Sequence, residues 1–267
     1  VSVLLCLTLS ACGGKEPIFI GFSAGLTGRN ATLGVDGRDG ALLAIETINA
    51  TGGIEGFPVE LVVEDDLATA EGALAADKAL IEAGVTAIIG HMTSGTMMAV
   101  WPEVIDSEMV FLSPTVSTPE LTEKKDNFFR LIPANSYPAS NLAHYAFDEL
   151  GLRKVATFYD ISNLAFTETY RDSFAHSFKG YGGDIFADYQ FSSPDNPDFE
   201  PFLREAKAAG VDGILVVASA VDTALLAQQA NLIDLDVQIL TSNWSFTEDV
   251  IRNGGQAVDG ILTVVSH

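Results

Sequence analysis

Only two cysteines occur in the 267 residues, Cys6 and Cys12. Everything after residue 12 therefore lacks a disulfide, a thiol nucleophile and a cysteine metal site, and must be held together by its core. Basic residues are also scarce, with 14 Lys and Arg against 36 Asp and Glu and a formal charge of −22. Such a chain repels phosphate backbones and anionic lipid surfaces, which excludes nucleic acid as a partner. The acids are spread along the sequence, as a solvated surface requires, rather than gathered in a tail. His91, His144, His176 and His267 show no H-x-x-x-H spacing and no nearby cysteine, so no metal site is expected. No G-x-G-x-x-G or phosphate-loop pattern follows the first strand-like segment, which argues against dinucleotides and nucleoside triphosphates. No cofactor is expected. Nor does any segment offer the roughly 20 consecutive apolar residues that a spanning helix needs.

What is present begins with VSVLLCLTLSACGG, an apolar run ending in Leu9, Ser10, Ala11 and Cys12. Small residues before a cysteine form the lipobox pattern, so residues 1–12 read as a lipoprotein signal segment with Cys12 as the lipidated residue. A plain signal segment is the alternative. Either places the remaining chain outside the cytoplasmic membrane, on a lipid tether in the first case. The first residue is Val1 rather than Met and the basic start of a signal is missing, so the chain is expected to begin inside its reading frame.

From residue 17 short apolar runs alternate with amphipathic stretches, the pattern of a parallel sheet covered by helices. Strands are expected at 17–24, 59–66, 86–90 and 110–114, with helices at 36–50, 70–84 and 95–108 between them. FFRLIPAN at 128–135 reads as a crossover, and a second series follows. Its strands are expected at 154–160, 184–191, 213–219 and 237–242, and its helices at 138–150, 166–178, 199–209 and 222–233. The fold class is thus α/β, with two doubly wound, Rossmann-like lobes joined by strand-like crossovers.

Ligands of open α/β sheets lie beyond the carboxyl ends of the strands, where helix N-termini present free N–H groups. HMTSGT (91–96) and SPTVSTPE (113–120) occupy such places. Ser94 and the N–H of Gly95 can face an anion, or Thr93 or Ser94 can cap the following helix. Ser117 has the same two uses, because S-T-P-E forms a capping box with Glu120. GFSAG (21–25) matches a nucleophile elbow, but LTGRNATLG after it reads as a loop to about residue 35, where the elbow needs a helix. His91 reads as a hydrogen-bonded residue at the cleft rim, and Glu64, Asp65 and Asp66 as caps or a solvated edge.

These segments carry a resemblance. IGFSAGLTG, DGALLAIETINATGGIEG, VELVVEDD, IIGHMTSGT, FLSPTVSTPELTE and YDISN, in this order, resemble the type I periplasmic binding proteins of the leucine/isoleucine/valine-binding family. The resemblance implies a receptor that closes two lobes on a small ligand and delivers it to the permease subunits of an ABC importer. It implies lobes over 13–132 and 133–258, a second crossover starting at 259–267, and a C-terminal part beyond the given sequence. Ser94 matches the serine that binds the ligand carboxylate, with Gly95 beside it. Thr115 matches a residue whose main chain lines the ammonium pocket, Ser117 a hydroxyl touching both groups, and Val116 lies between them. Leu33 stands where an aromatic can cover the ligand, and Phe166 near the place of a family tyrosine. Asn243, beside Trp244, falls where amino-acid binders carry an acid, and Ser219 completes the expected site. Asn243 makes a small carboxylate or amide as acceptable as a free branched-chain amino acid. The expected protein is a monomeric binding protein rather than an enzyme; the alternative is the ligand-binding sensor domain of a signalling system.

Overall fold

In the computed structural model, which describes residues 15–104 and 107–265, the chain forms two five-stranded sheets, each wholly parallel. Cys12 and the signal segment lie outside the described residues. The first sheet contains β1 (Ile18–Ala24), β2 (Val59–Asp65), β3 (Ala87–Ile89), β4 (Val110–Ser113) and β5 (Phe128–Arg130), in the order β2-β1-β3-β4-β5. Helices α1 (Thr32–Ala50), α2 (Ala70–Glu82) and α3 (Ser94–Val104) connect its strands. The second sheet contains β6 (Lys154–Asp160), β7 (Asp184–Phe191), β8 (Gly213–Val217), β9 (Gln238–Thr241) and β10 (Leu262–Thr263), in the order β7-β6-β8-β9-β10. Its helices are α4 (Ser136–Asp148), α5 (Leu164–Tyr181), α6 (Glu200–Ala209), α7 (Ala220–Leu232) and α8 (Glu248–Gly254).

Both lobes wind alike. The chain starts on an inner strand, moves to one edge, then crosses back, so the direction switches between β1 and β3 and again between β6 and β8. Continuous apolar strands suit sheets covered on both faces, and all five residues of β8 are buried. One apolar layer of the first lobe joins Leu80, Ile88, Met97 and Phe111; another gathers Phe22, Ala24 and Met92. In the second lobe Tyr159, Tyr170, Phe174 and Phe178 fill one face of the sheet, and Phe158, Phe199, Leu203 and Val216 the other.

Three expectations are corrected. Helix α1 starts at Thr32 rather than near residue 36. A Cβ on Gly34 would stand 2.2 Å from the carbonyl oxygen of Gly25, so only glycine lets α1 pack this close to the end of β1. Phe128–Arg130 is a true strand paired with β4, and the crossover is confined to the residues between it and α4. Where a second crossover was expected, Leu262–Thr263 pairs with β9 as the edge of the second sheet.

The crossover is fixed at Asn135, which is almost wholly buried. Its N–H donates to Ser117 O at 2.8 Å, while its Nδ2 donates to Phe166 O at 2.8 Å and to Thr169 Oγ1 at 2.9 Å. The backbone of this residue thus holds the 113–118 loop of the first lobe while its side chain holds α5 of the second.

Candidate functional site

The loops at the carboxyl ends of the strands in both lobes meet around a cleft with two adjoining chambers that share part of their walls. Leu33, Met92, Thr93, Asn163 and Trp244 are common to both. The first chamber is completed by Ser94, Pro114, Thr115 and Ile132 from the first lobe and by Phe166 and Asn243 from the second. The second is completed by Gly25, Asn30, Gly34, Asp66, Ala68, Thr96 and Ser162. A side recess next to Leu33 and Trp244 is lined by Ser219, Thr247 and Asp249.

The hydroxyls of the 113–118 loop mostly hold backbone in place. Ser113 Oγ donates to His91 O at 2.7 Å and accepts from the N–H groups of Thr115 and Val116. Thr115 Oγ1 donates to Met92 O at 2.7 Å. Ser94 Oγ accepts from the N–H groups of Ser117 and Thr118, both at 3.2 Å, so it ties two loops together rather than capping α3. The cap of α3 is Thr93, whose Oγ1 accepts from Thr96 N. The S-T-P-E box does not form either: Thr118, not Ser117, accepts from Glu120 N, and the turn is 3₁₀ rather than α-helical. Ser117 Oγ is left buried without a partner. Val116 is fully buried in the first-lobe core and lines neither chamber.

The second lobe supplies the aromatic wall. Phe166 meets Trp244 edge to face at 5.9 Å and Tyr170 at 5.8 Å, which fixes both chamber-lining rings against the core behind them. Asn243 Oδ1 is buried beside them with no hydrogen-bond partner. No carboxylate lines this first chamber. Ser219 caps α7, accepting from Asp222 N and donating to Asp222 Oδ2 at 2.8 Å.

Several direct bonds cross between the lobes. Gly95 N, expected to be free, donates to Asn163 Oδ1 at 2.8 Å. Arg29 Nη2 reaches Asp222 Oδ1 at 2.8 Å, with the Asp222 side chain fully buried, and Arg29 Nη1 donates to Asn196 Oδ1 at 3.1 Å. Asn30 Nδ2 donates to Ser193 Oγ at 3.3 Å, and Thr32 Oγ1 donates to Asp249 Oδ2. Close by, burial and the charge of Asp222 push the Asp160 carboxyl up, opposed by hydrogen bonds from Ser162 and Ser193 N. The lobes are closed on each other.

His91 is not a rim residue but fully buried beneath the second chamber. Nδ1 lies 2.8 Å from Asp66 Oδ2 and 3.2 Å from Ser23 Oγ, and Nε2 is 3.3 Å from Asp77. Burial alone would lower its pKa, but the two carboxylates outweigh that and raise it to about 9. At neutral pH the ring is an imidazolium donating to both acids. Asp66 is therefore no solvated edge, and Ser23 of the GFSAG motif is fully buried beside a ring that holds its proton. Among the described residues no group of three acids, histidines or cysteines could hold a metal ion.

The residues that sequence reasoning passed over are Arg29, Asn30, Met92, Ile132 and Asn163. Met92 and Asn163 lie inside HMTSGT and YDISN, segments singled out for their family pattern, whereas Arg29 and Asn30 lie in a stretch taken for a plain loop.

Comparison with known proteins adds a family. The model of a family described as periplasmic binding protein matches residues 17–267. The chain is 26% identical over 266 residues to the Leu/Ile/Val-binding protein homolog 3 of Brucella melitensis, covering 98% of this chain and 71% of that one. It is 24% identical over 254 residues to the leucine-, isoleucine-, valine-, threonine- and alanine-binding protein of Pseudomonas aeruginosa, covering 94% and 66%. The chain thus spans 66% to 71% of the length of these relatives. Among solved structures, a branched-chain amino acid transporter substrate-binding protein of Streptococcus pneumoniae in complex with isoleucine superposes with a TM-score of 0.84 at 26% identity, covering 92% of this chain and 70% of that one. A solute-binding protein of an ABC transporter from Rhodopseudomonas palustris in complex with 3,4-dihydroxybenzoic acid has the same fold, with a TM-score of 0.80 at 23% identity over 92% and 68% of the two chains.

Proposed function

Because this chain belongs to the leucine/isoleucine/valine-binding family of type I periplasmic binding proteins, we propose that it is the extracytoplasmic receptor of an ABC importer. It binds one small ligand between its lobes and presents the closed form to the permease subunits. The single observation that carries this reading is the cleft itself. Ser94 and Thr115 stand on one wall, and Phe166, Asn243 and Trp244 on the other. The ligand is a branched-chain amino acid or a related small carboxylate or amide. Apolar walls from Leu33, Met92, Pro114 and Ile132 favour its hydrocarbon part. Asn243 Oδ1 calls for an N–H or O–H donor, and no acid lines that chamber to balance a full ammonium.

The receptor acts as a monomer, tethered by a lipid at Cys12, and catalyses nothing. Ser23 and His91 support the last point, since a buried hydroxyl beside a protonated imidazole has no base to activate it. The test is a thermal-shift screen over branched-chain amino acids, their des-amino acids and their amides, followed by calorimetric titration of each hit. A true ligand at 100 times its dissociation constant adds about 2.7 kcal/mol to stability. A flat response across the whole screen overturns the reading.

A further inference from the structure

The two polar atoms of the Asn30 side chain have different fates. Nδ2 lies 3.3 Å from Ser193 Oγ across the cleft. Ser193 Oγ spends its only proton on Asp222 Oδ2 at 2.6 Å, a carboxylate held by Arg29. It can therefore only accept from Asn30, which fixes the amide with its nitrogen toward the second lobe. That leaves Asn30 Oδ1 as an acceptor, buried and without a partner, on a residue that lines the second chamber. A buried amide oxygen without a donor has lost its hydration and gained nothing in return, so the closed form is incomplete without one.

The rest of the polar wall is biased the same way. Thr96 Oγ1 donates to Thr93 O at 3.0 Å, so Thr93 Oγ1 is the donor in its 2.7 Å bond to Thr96 Oγ1. Ser162 Oγ donates to Asp160 Oδ2 at 2.7 Å. All three hydroxyl protons are committed within the protein, and only lone pairs remain for a ligand. Asp66 adds a carboxylate, which shares the His91 ring with Asp77. Asn163 Nδ2 and Trp244 Nε1 are the side-chain donors left in this wall. A hydroxyl brings one proton to so many acceptors; a terminal amide brings two and an ammonium three.

We propose that the second chamber is a subsite for a nitrogen end group of the ligand, a primary amide or an ammonium, which donates to Asn30 Oδ1 while the acid end stays beside Ser94 and Thr115. The ligand is then an acid whose tail passes Trp244 and ends in nitrogen, rather than one with a purely aliphatic tail. This inference rests on the receptor reading and narrows its ligand class.

The test is calorimetric titration of the chain with two matched pairs: ornithine against norleucine, and glutamine against homoleucine. Each pair keeps tail length; the first exchanges the terminal nitrogen for carbon, and the second exchanges the whole amide, nitrogen and oxygen, for an isopropyl group. The nitrogen member of at least one pair is expected to bind about tenfold tighter or more, the scale on which a site built around polar groups rejects an analogue lacking them. Asn30→Ala should reduce that preference to within about threefold, since its acceptor is gone. Asn30→Asp retains an acceptor and adds charge, so it should move selectivity toward ornithine. Ser193→Ala removes the lobe-to-lobe bond and lets the amide turn while keeping its oxygen, so it should lower affinity for both members and shrink their ratio less than Asn30→Ala does. Equal binding within both pairs, or an unchanged ratio in Asn30→Ala, overturns the inference and leaves the receptor reading to the wider screen. No binding by any of the four overturns the inference as well, while hits among the other acids and amides would still uphold the receptor.

Discussion

The amide nitrogen of Gly95 donates to Asn163 Oδ1 at 2.8 Å, so the first turn of α3 in one lobe is satisfied by a side chain of the other. A Cβ on Gly95 would stand 3.1 Å from that oxygen and 3.3 Å from the Cα of Asn163. Gly95→Ala is therefore expected to wedge the lobes apart, and Asn163→Ala to remove the bond without the wedge. Loss of one such bond is worth about 1 kcal/mol, or roughly fivefold in affinity, and the wedge should cost more. Titration calorimetry with a screened ligand, together with solution scattering of the ligand-free and liganded forms, checks the order.

Arg29 and Asp222 supply a second link between the lobes. Without Arg29, the fully buried Asp222 carboxylate keeps only Ser193 and Ser219 and still faces Asp160. Arg29→Ala should weaken ligand binding by about 1–2 kcal/mol, a figure already reduced because the guanidinium is partly solvated. Asp222→Asn should make the same Arg29 substitution nearly silent. A double-mutant cycle on ligand affinity measures the coupling, and additive effects would show that the pair does not hold the closed form.

Ser94 and Ser117 should separate stability from recognition. Ser94→Ala strands two backbone N–H groups, those of Ser117 and Thr118, and is expected to cost about 2–3 kcal/mol of unfolding free energy. Ser117→Ala removes a hydroxyl that has no protein partner, so stability should change by less than about 0.5 kcal/mol. Chemical denaturation of the two variants tests this contrast.

His91 makes stability depend on alkaline pH. Its folded-state pKa is raised from 6.5 to about 9, so its contribution is complete below pH 6.5 and is lost as pH rises through about 9. The span corresponds to about 3 kcal/mol at most. Thermal melts across this range should fall steeply for the parent chain and flatten in His91→Gln; a parent curve without that decline would mean the imidazolium adds nothing.

The alternation of apolar runs and amphipathic stretches made the strands and most helices legible, because a parallel sheet covered on both faces leaves a plain mark. The start of α1 was hidden. RNATLG reads as a loop, and nothing local announces that Gly34 lets the helix touch Gly25. The strand at Leu262–Thr263 is defined by its pairing with β9, and pairing partners are not written in a two-residue segment.

At the cleft, Ser94, Thr115, Leu33, Phe166, Asn243 and Trp244 all stand on the wall of the first chamber, placed there by strand ends that the sequence marks. The buried group of Asp66, His91 and Asp77 could not be read in the same way. Each member has an ordinary local use at a strand end or on a helix, and only the folding of β1, β2, β3 and α2 against one another brings them together. The hydroxyls of SPTVSTPE were legible as a cluster but not as donors or acceptors, since most of them bind backbone rather than solute.

Neither Arg29 nor Asp222 lines a chamber wall, although they bridge the two lobes beside one. This one fastening is thus kept apart from the walls that taste the solute, whereas Asn30 and Asn163 serve both. Walls such as Phe166, Ile132 or Asn243 can be exchanged to admit a new solute while the fastening is left alone. A reporter dye on an exposed residue near Asn196, which the guanidinium reaches only when the lobes meet, would then signal closure whatever molecule the rebuilt cleft had been given.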